Sequence, residues 1–145
     1  MSGYKAILFD LDDTLLNRDK AVDKMFLIIL EKCYEDVNNS VKNKMLQKFR
    51  ECDIRGYGDN DKIKVLKSFF DVFPPKYSLP RNYFQKFWND NFPKCFSIDQ
   101  NSIDIINTLK MHVKVAIITN GSTQRQKAKI INTNLNNCFD IIVIS

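Results

Sequence analysis

The stretch that decides the fold is KAILFDLDDTLL, residues 5–16. Its apolar run from Ala6 to Phe9 predicts a buried parallel strand that ends at Asp10, with Asp12 two residues further on. Open α/β folds bind their ligands at the carboxyl ends of such strands. There, one carboxylate can attack an electrophile while the second moves a proton, and a hard cation can hold both. An ordinary acidic turn is the alternative interpretation.

A second segment carries complementary chemistry. Val113 to Ile118 is another apolar run, and it ends in Thr119-Asn120-Gly121-Ser122 ahead of a helical pattern. A hydroxyl, a flexible glycine and backbone N–H groups at a helix start are typical of a phosphate cradle. A Ser/Asn helix cap explains the same residues less specifically. Two strand ends with matching chemistry favour a phosphate site over coincidence.

The two segments together resemble the motifs of the haloacid dehalogenase-like (HAD) hydrolase superfamily. Phe9 to Leu15 is similar to its first motif and Ile117 to Gly121 to its second. Gln126, Lys129 and the run Phe139 to Ser145 are similar to the branch that contains nucleotidases and sugar-phosphate phosphatases. The resemblance extends along the whole chain, although the middle matches only as a helical insert.

The resemblance implies a role for each motif residue. Asp10 is the expected nucleophile and Asp12 the expected general acid/base, while Thr119, Asn120 and Gly121 are expected to bind phosphate. Mg²⁺ is expected to bind the Asp10 carboxylate and the Asp12 backbone carbonyl. The implied activity is a Mg²⁺-dependent phosphatase that acts on a small phosphorylated metabolite, a nucleotide or sugar phosphate, through an aspartyl phosphate.

One part of the family pattern is missing. In the family, a serine like Ser145 is followed by a Lys-Pro pair and by later acidic residues that complete the Mg²⁺ site, but here the sequence stops. Lys127 and Lys129 are the nearest internal substitutes. They lie roughly 8–10 Å from the start of their helix, so we expect them to be solvated. The chain is therefore expected to be an incomplete form with little activity of its own.

The expected fold is α/β, with a Rossmann-like parallel sheet core in residues 1–16 and 97–145, incomplete at the C-terminus. An all-helical insert after the first strand, residues 17–96, corresponds to the family's cap. Asn17–Asp19 and Pro93–Asp99 are the expected hinges, and Ser40 is an expected helix cap. Apolar residues recur at helical spacing in four segments of the insert: Val22 to Cys33, Val41 to Cys52, Ile63 to Phe70 and Tyr83 to Trp88.

Composition limits the function classes. The 145 residues are 44% hydrophobic and 27% charged, which indicates a globular chain. No stretch approaches a membrane span, and no signal peptide is recognisable. Four separated cysteines and the single His112 favour reduced thiols in the cytoplasm over a zinc site. The net charge of +5 is scattered over helices, so no specific nucleic acid is expected.

Several alternatives stay open. A phosphomutase uses the same residues, and a phospho-acceptor signalling domain also combines acids, Thr and Lys, although Asp53 lies in a helical pattern. A catalytically inactive remnant, a split-protein half or an interaction module is the main alternative. Asp12 argues against the dehalogenase branch, which lacks that acid. Ending at Ser145 would leave strand 6–9 as an open edge, so self-association or pairing with a second polypeptide is expected.

Overall fold

The computed structural model describes residues 6–12, 14–59 and 61–145. Asp13 of the first motif and residues 1–5 lie outside the described residues. The chain forms two compact units: a core of Met1–Arg18 with Phe96–Ser145, and an insert of Asp19–Cys95. Each unit is described separately below.

A parallel sheet of three strands organises the core unit. Its strands are β1 (Ala6–Asp10), β2 (Lys114–Thr119) and β3 (Ile141–Ile144), in the order β1-β2-β3. Ala6 pairs with Lys114 and Asp10 with Ile118, while Ala116 of β2 pairs with Ile141 of β3. The middle of β2 is buried, as expected for a central strand between two parallel neighbours. The predicted α/β class with a helical insert after the first strand is confirmed.

Two helices of the core unit flank β2 in sequence. Helix α5 (Gln100–Lys110) begins after Asp99, whose carboxylate accepts a hydrogen bond of 2.7 Å from the Ser102 N–H, and it contacts β2. Helix α6 (Thr123–Asn132) leaves the end of β2 and returns the chain towards β3. His112, which lies between α5 and β2, is exposed.

The insert unit is entirely helical among the described residues. It contains α1 (Arg18–Cys33, which begins at the last residue of the first core segment), α2 (Asn39–Arg55), α3 (Ile63–Val72) and α4 (Phe84–Asn91). Short 3-10 turns span Arg81–Tyr83 and Phe92–Cys95. The predicted cap Ser40 is wrong: Asn38 precedes α2, and its side chain accepts a hydrogen bond from the Val41 N–H. Asn is an equally good cap, so the helix begins earlier.

Aromatic side chains form the centre of the insert. Phe69 is fully buried and lies 5.4 Å from Phe49 and 6.2 Å from Phe26, both edge-on, measured between ring centroids. Trp88 is also fully buried, 4.9 Å from Phe92. The helical spacing of these residues therefore marks a packed core, not a cofactor site.

None of the described helices has the length and apolar character needed to cross a membrane. All four cysteines are free thiols, and Cys33, Cys52 and Cys95 are buried.

Candidate active site

The ends of β1 and β2 bring two of the predicted site residues to one edge of the sheet. Asp10 is the last residue of β1 and Thr119 the last of β2, and the parallel register places Asp10 beside Ile118. Because adjacent parallel strands end at the same edge, the Asp10 carboxylate and the Thr119 hydroxyl belong to the same mouth. Asp10 is exposed, whereas Thr119 is 5% exposed.

A tight turn follows β1 and carries Asp12. The Leu11 carbonyl accepts hydrogen bonds from the N–H groups of Leu15 and Leu16, at 3.1 and 3.0 Å. The side chains of Leu11 and Leu16 are buried and anchor the turn in the core. Asp12 lies between these anchors, and its side chain keeps 34% of its surface exposed.

Two side chains of α6 bind the Asp12 carboxylate. The Lys129 ammonium lies 3.1 Å from Asp12 Oδ1, and the Gln126 amide donates to Asp12 Oδ2 at 3.1 Å. The same amide donates to Thr119 Oγ1 at 2.6 Å. Gln126 therefore connects the expected acid/base with the expected phosphate ligand.

The prediction that both helix lysines are solvated is wrong for Lys129 and right for Lys127. Lys127 is exposed, but only 8% of the Lys129 side chain is. Lys129 lies one turn from Gln126 on the face of α6 that packs inward, which directs its ammonium to the turn after β1. The distance of Lys129 from the start of α6 does not decide its exposure, because its ammonium binds Asp12 in the turn after β1.

Burial dominates the electrostatics of Lys129. Desolvation lowers the pKa of its ammonium, while the Asp12 carboxylate opposes that shift by stabilising the charged form. The positive charges of Arg18 and Arg125 lower the Lys129 pKa further, so the core unit brings several cations to this region. The ammonium also lies 4.6 Å from the centroid of the Phe96 ring, a cation–π contact.

The loop after β2 is tied to the end of β3. Ser145 N–H donates to the Thr119 carbonyl at 2.9 Å, and Gly121 N–H donates to the Ser145 carbonyl at 3.3 Å. The Ser145 hydroxyl donates to the Asn120 side chain. Gly121 has a φ of +130°, which L side chains rarely adopt. Of the three predicted phosphate ligands, Asn120 and Gly121 thus already bond to Ser145, and Thr119 is bonded to Gln126.

The described residues do not form a complete metal site. They contain no group of three His, Cys, Asp or Glu side chains placed to hold a metal ion. Both oxygens of Asp12 are bound to Gln126 and Lys129, which leaves the Asp10 carboxylate and the Asp12 backbone carbonyl as the expected ligands. Such a small set fits Mg²⁺, which keeps several waters and takes further oxygens from bound phosphates.

Comparison with known proteins decides the family. The family model described as haloacid dehalogenase-like hydrolase matches residues 7–145. The chain belongs to this family. The predicted superfamily is therefore confirmed. No curated protein sequence matches the chain.

Solved structures share the HAD-like fold at low sequence identity. A Bacillus subtilis protein described as the HAD-hydrolase YfnB, bound to magnesium, has a TM-score of 0.69 at 18% identity over 99% of this chain and 64% of its own. A Thermotoga maritima protein described as a β-phosphoglucomutase has a TM-score of 0.60 at 11% identity. The match covers 97% of this chain and 61% of that protein. L-2-haloacid dehalogenase from Xanthobacter autotrophicus has a TM-score of 0.61 at 14% identity. The match covers 97% of this chain and 56% of the dehalogenase. The chain thus spans about three-fifths of the length of these structures.

The sequence contained a signal for the network that its interpretation missed. Gln126, Lys129, Ile130 and Thr133 are all buried and follow the i, i+3, i+4, i+7 spacing of one helix face. Polar residues at the positions of a buried face indicate internal partners, since isolated buried polar groups are costly.

Proposed function

We propose that the chain carries the catalytic residues of a Mg²⁺-dependent phosphatase of the HAD type, acting on a small phosphorylated metabolite such as a nucleotide or sugar phosphate. The observation that carries the proposal is the second carboxylate. Asp12 is held by Gln126 and Lys129 beside the mouth in which Asp10 is exposed. A fixed second acid is what a two-step phosphoryl transfer through a carboxylate requires.

Asp10 acts first in the proposed mechanism. Its carboxylate oxygen attacks phosphorus, the bond from phosphorus to the substrate oxygen breaks, and an aspartyl phosphate forms. Protonated Asp12 gives its proton to the leaving oxygen, which departs as an alcohol. A water molecule then attacks the aspartyl phosphate, Asp12 accepts the proton of that water, and inorganic phosphate and the Asp10 carboxylate are released.

The resting contacts of Asp12 suit the second of these steps. As a carboxylate it accepts from Lys129 and Gln126, so it is ready to take a proton from water. Thr119, the last residue of β2, would donate its hydroxyl proton to a phosphoryl oxygen. Mg²⁺, held by the Asp10 carboxylate and the Asp12 carbonyl, would neutralise negative charge on the phosphoryl group.

A second candidate, an inactive or partner-dependent unit, is favoured by the sheet. Among the described strands, β1 is bonded to β2 alone, and Leu8 of β1 is 60% exposed. Apolar strand edges pair with other chains. We infer that residues 6–9 mediate self-association or bind a second polypeptide that supplies further strands. The buried free thiols fit a reducing compartment such as the cytoplasm.

Trapping of the phosphoenzyme tests the proposed function. The chain, and a version extended with the C-terminal segment of a HAD-like hydrolase, are incubated with Mg²⁺ and a panel of phosphate monoesters, and both aspartyl phosphate and released phosphate are measured. We expect little turnover by the chain alone and activity in the extended version. Asp10→Asn should abolish both signals, and Asp12→Asn should slow turnover by about 10²- to 10⁴-fold.

Asp104→Asn is the matched control. It makes the same change on the exposed surface of α5 and should leave turnover unchanged. Full activity of Asp10→Asn would refute the nucleophile assignment. Absence of phosphoenzyme in both the chain and its extended version would favour the inactive alternative.

A further inference from the structure

Gln126 is a buried amide between two groups of the candidate site. It is 3% exposed, and its Nε2 atom lies 3.1 Å from Asp12 Oδ2 and 2.6 Å from Thr119 Oγ1. An amide nitrogen has two hydrogens, so one N–H can serve each partner.

The carboxylate fixes the orientation of this amide. Asp12, when ionised, only accepts hydrogen bonds, so the NH₂ end of Gln126 must face it. The same NH₂ end then faces Thr119, whose oxygen must accept. A hydroxyl has a single proton, and because Gln126 does not take it, that proton stays available for another acceptor.

Lys129 completes the constraint on Asp12. Its ammonium takes Oδ1 while Gln126 takes Oδ2, so rotation of the carboxylate would break a charge-assisted hydrogen bond. Only 8% of the Lys129 side chain is exposed, so loss of this bond would leave a cation in a desolvated position.

The loop after β2 packs against the same amide. A Cβ atom added to Gly121 would lie 3.5 Å from both Cγ and Cδ of Gln126. The glycine therefore brings the backbone of the predicted phosphate cradle against the side chain of Gln126, without a side chain of its own between them.

We propose that Gln126 and Lys129 are positioning residues, which lock the Asp12 carboxylate and thereby direct the Thr119 hydroxyl proton towards an anionic ligand. The ligand class is a phosphate group, and this part of the inference rests on the proposed function. The bonds run in one direction, from Lys129 and Gln126 to Asp12, and from Gln126 through Thr119 to the phosphate. A glutamine at position 126 matters here for its hydrogens as well as for its shape.

The orientation is tested first without any ligand, by NMR of the side-chain amide of Gln126 in the ¹⁵N-labelled full chain. We expect both amide protons to exchange slowly with water. Asp12→Asn and Thr119→Val should each shift one of them, whereas the surface substitution Asp104→Asn should shift neither. Fast exchange of these protons with water, or signals insensitive to Asp12→Asn and Thr119→Val, would overturn the proposal.

The consequence for binding is tested with inorganic phosphate and Mg²⁺. Gln126→Glu keeps the shape but replaces the donor by an acceptor, so it should weaken phosphate binding by about 10- to 100-fold, the value of a charge-assisted hydrogen bond. Gln124→Glu adds the same charge at an exposed position of α6 and should change the affinity far less.

A compensating pair separates orientation from stability. Asp12→Asn combined with Gln126→Glu restores a donor–acceptor pair between these positions, but Thr119 must then donate to residue 126. We expect the pair to recover the thermal stability lost in Gln126→Glu, while its phosphate affinity stays below that of Asp12→Asn alone. Recovery of affinity together with stability would overturn the proposed role of the Thr119 proton. Absence of phosphate binding by the wild-type chain would count against the proposed function alone, because the amide spectra decide the orientation independently.

Discussion

Removing either member of the Lys129–Asp12 pair should destabilise the core unit, and the two changes should not cost the same. Asp12→Asn leaves the Lys129 ammonium, whose side chain is 8% exposed, without its carboxylate. Breaking a fully buried pair costs about 3–5 kcal/mol. Because 34% of the Asp12 side chain is exposed, water weakens the pair, and about 2 kcal/mol is the expected loss.

Lys129→Met should cost less, about 1 kcal/mol, because Asp12 then keeps Gln126 and solvent as partners. The methionine also replaces the aliphatic part of the lysine in its buried position. The double variant Asp12→Asn/Lys129→Met leaves neither charge of the pair unpartnered. Its loss of stability should therefore be about 1 kcal/mol smaller than the sum of the losses in the two single variants.

Amide hydrogen exchange is the suitable assay, because the two units need not unfold together. The buried amides of Val115, Ala116 and Ile117 in β2 report opening of the core unit. Lys127→Met, on the exposed side of α6, is the matched control and should change their exchange little. Losses that add within about 0.3 kcal/mol, or a larger loss for Lys129→Met than for Asp12→Asn, would refute the assignment of the pair.

Four further predictions concern other parts of the chain. Gly121→Ala should destabilise the core unit by about 1–3 kcal/mol, because an alanine is strained at a φ of +130°. The added Cβ would make only an ordinary contact with Gln126, so backbone strain alone accounts for the loss, which the same hydrogen exchange measures. Phe69→Ala should destabilise the insert by about 3–5 kcal/mol, measured by denaturation followed through the fluorescence of the chain's one tryptophan; a loss below about 1 kcal/mol would contradict the aromatic core. Burial raises the pKa of Cys95 to about 11, so the native thiol should stay protonated between pH 9.0 and 11 while the unfolded thiol ionises, and stability should fall as pH rises through this window. In native thiol titration, Cys138 should react first, because it alone among the four cysteines is not buried.

The sheet and the expected site were accessible from the sequence because their signals are local. The apolar runs of Ala6–Phe9 and Ile141–Ile144 are bounded by polar residues, and the structure has these strands within one residue of the prediction. Parallel pairing then brings the strand ends together without any further information. The predicted roles of Asp10, Asp12 and Thr119 stay predictions, although the structure places these residues at one edge of the sheet.

The contacts of Gln126 and Lys129 with Asp12 could not be predicted from local sequence signals. The partner of Lys129 is in a turn that precedes the whole insert, so no local charge pattern relates the two. The prediction of Ser40 as the cap of α2 was wrong for a different reason. Asn38 and Ser40 are both good caps, and only packing of the first turn selects between them. Helix spacing identifies a buried face, but it does not name the groups that the face meets.

The position of β1 in the chain has a consequence for biosynthesis. Ala6 pairs with Lys114, so β1 must wait until the entire helical insert has been made before it can pair with β2. At the usual speed of a ribosome this interval is roughly 5–20 s, whereas helices form in microseconds. We therefore expect the insert to fold first during translation, which shortens the loop that pairing of β1 with β2 must close. During that interval the apolar strand Ala6–Asp10 cannot yet pair with β2.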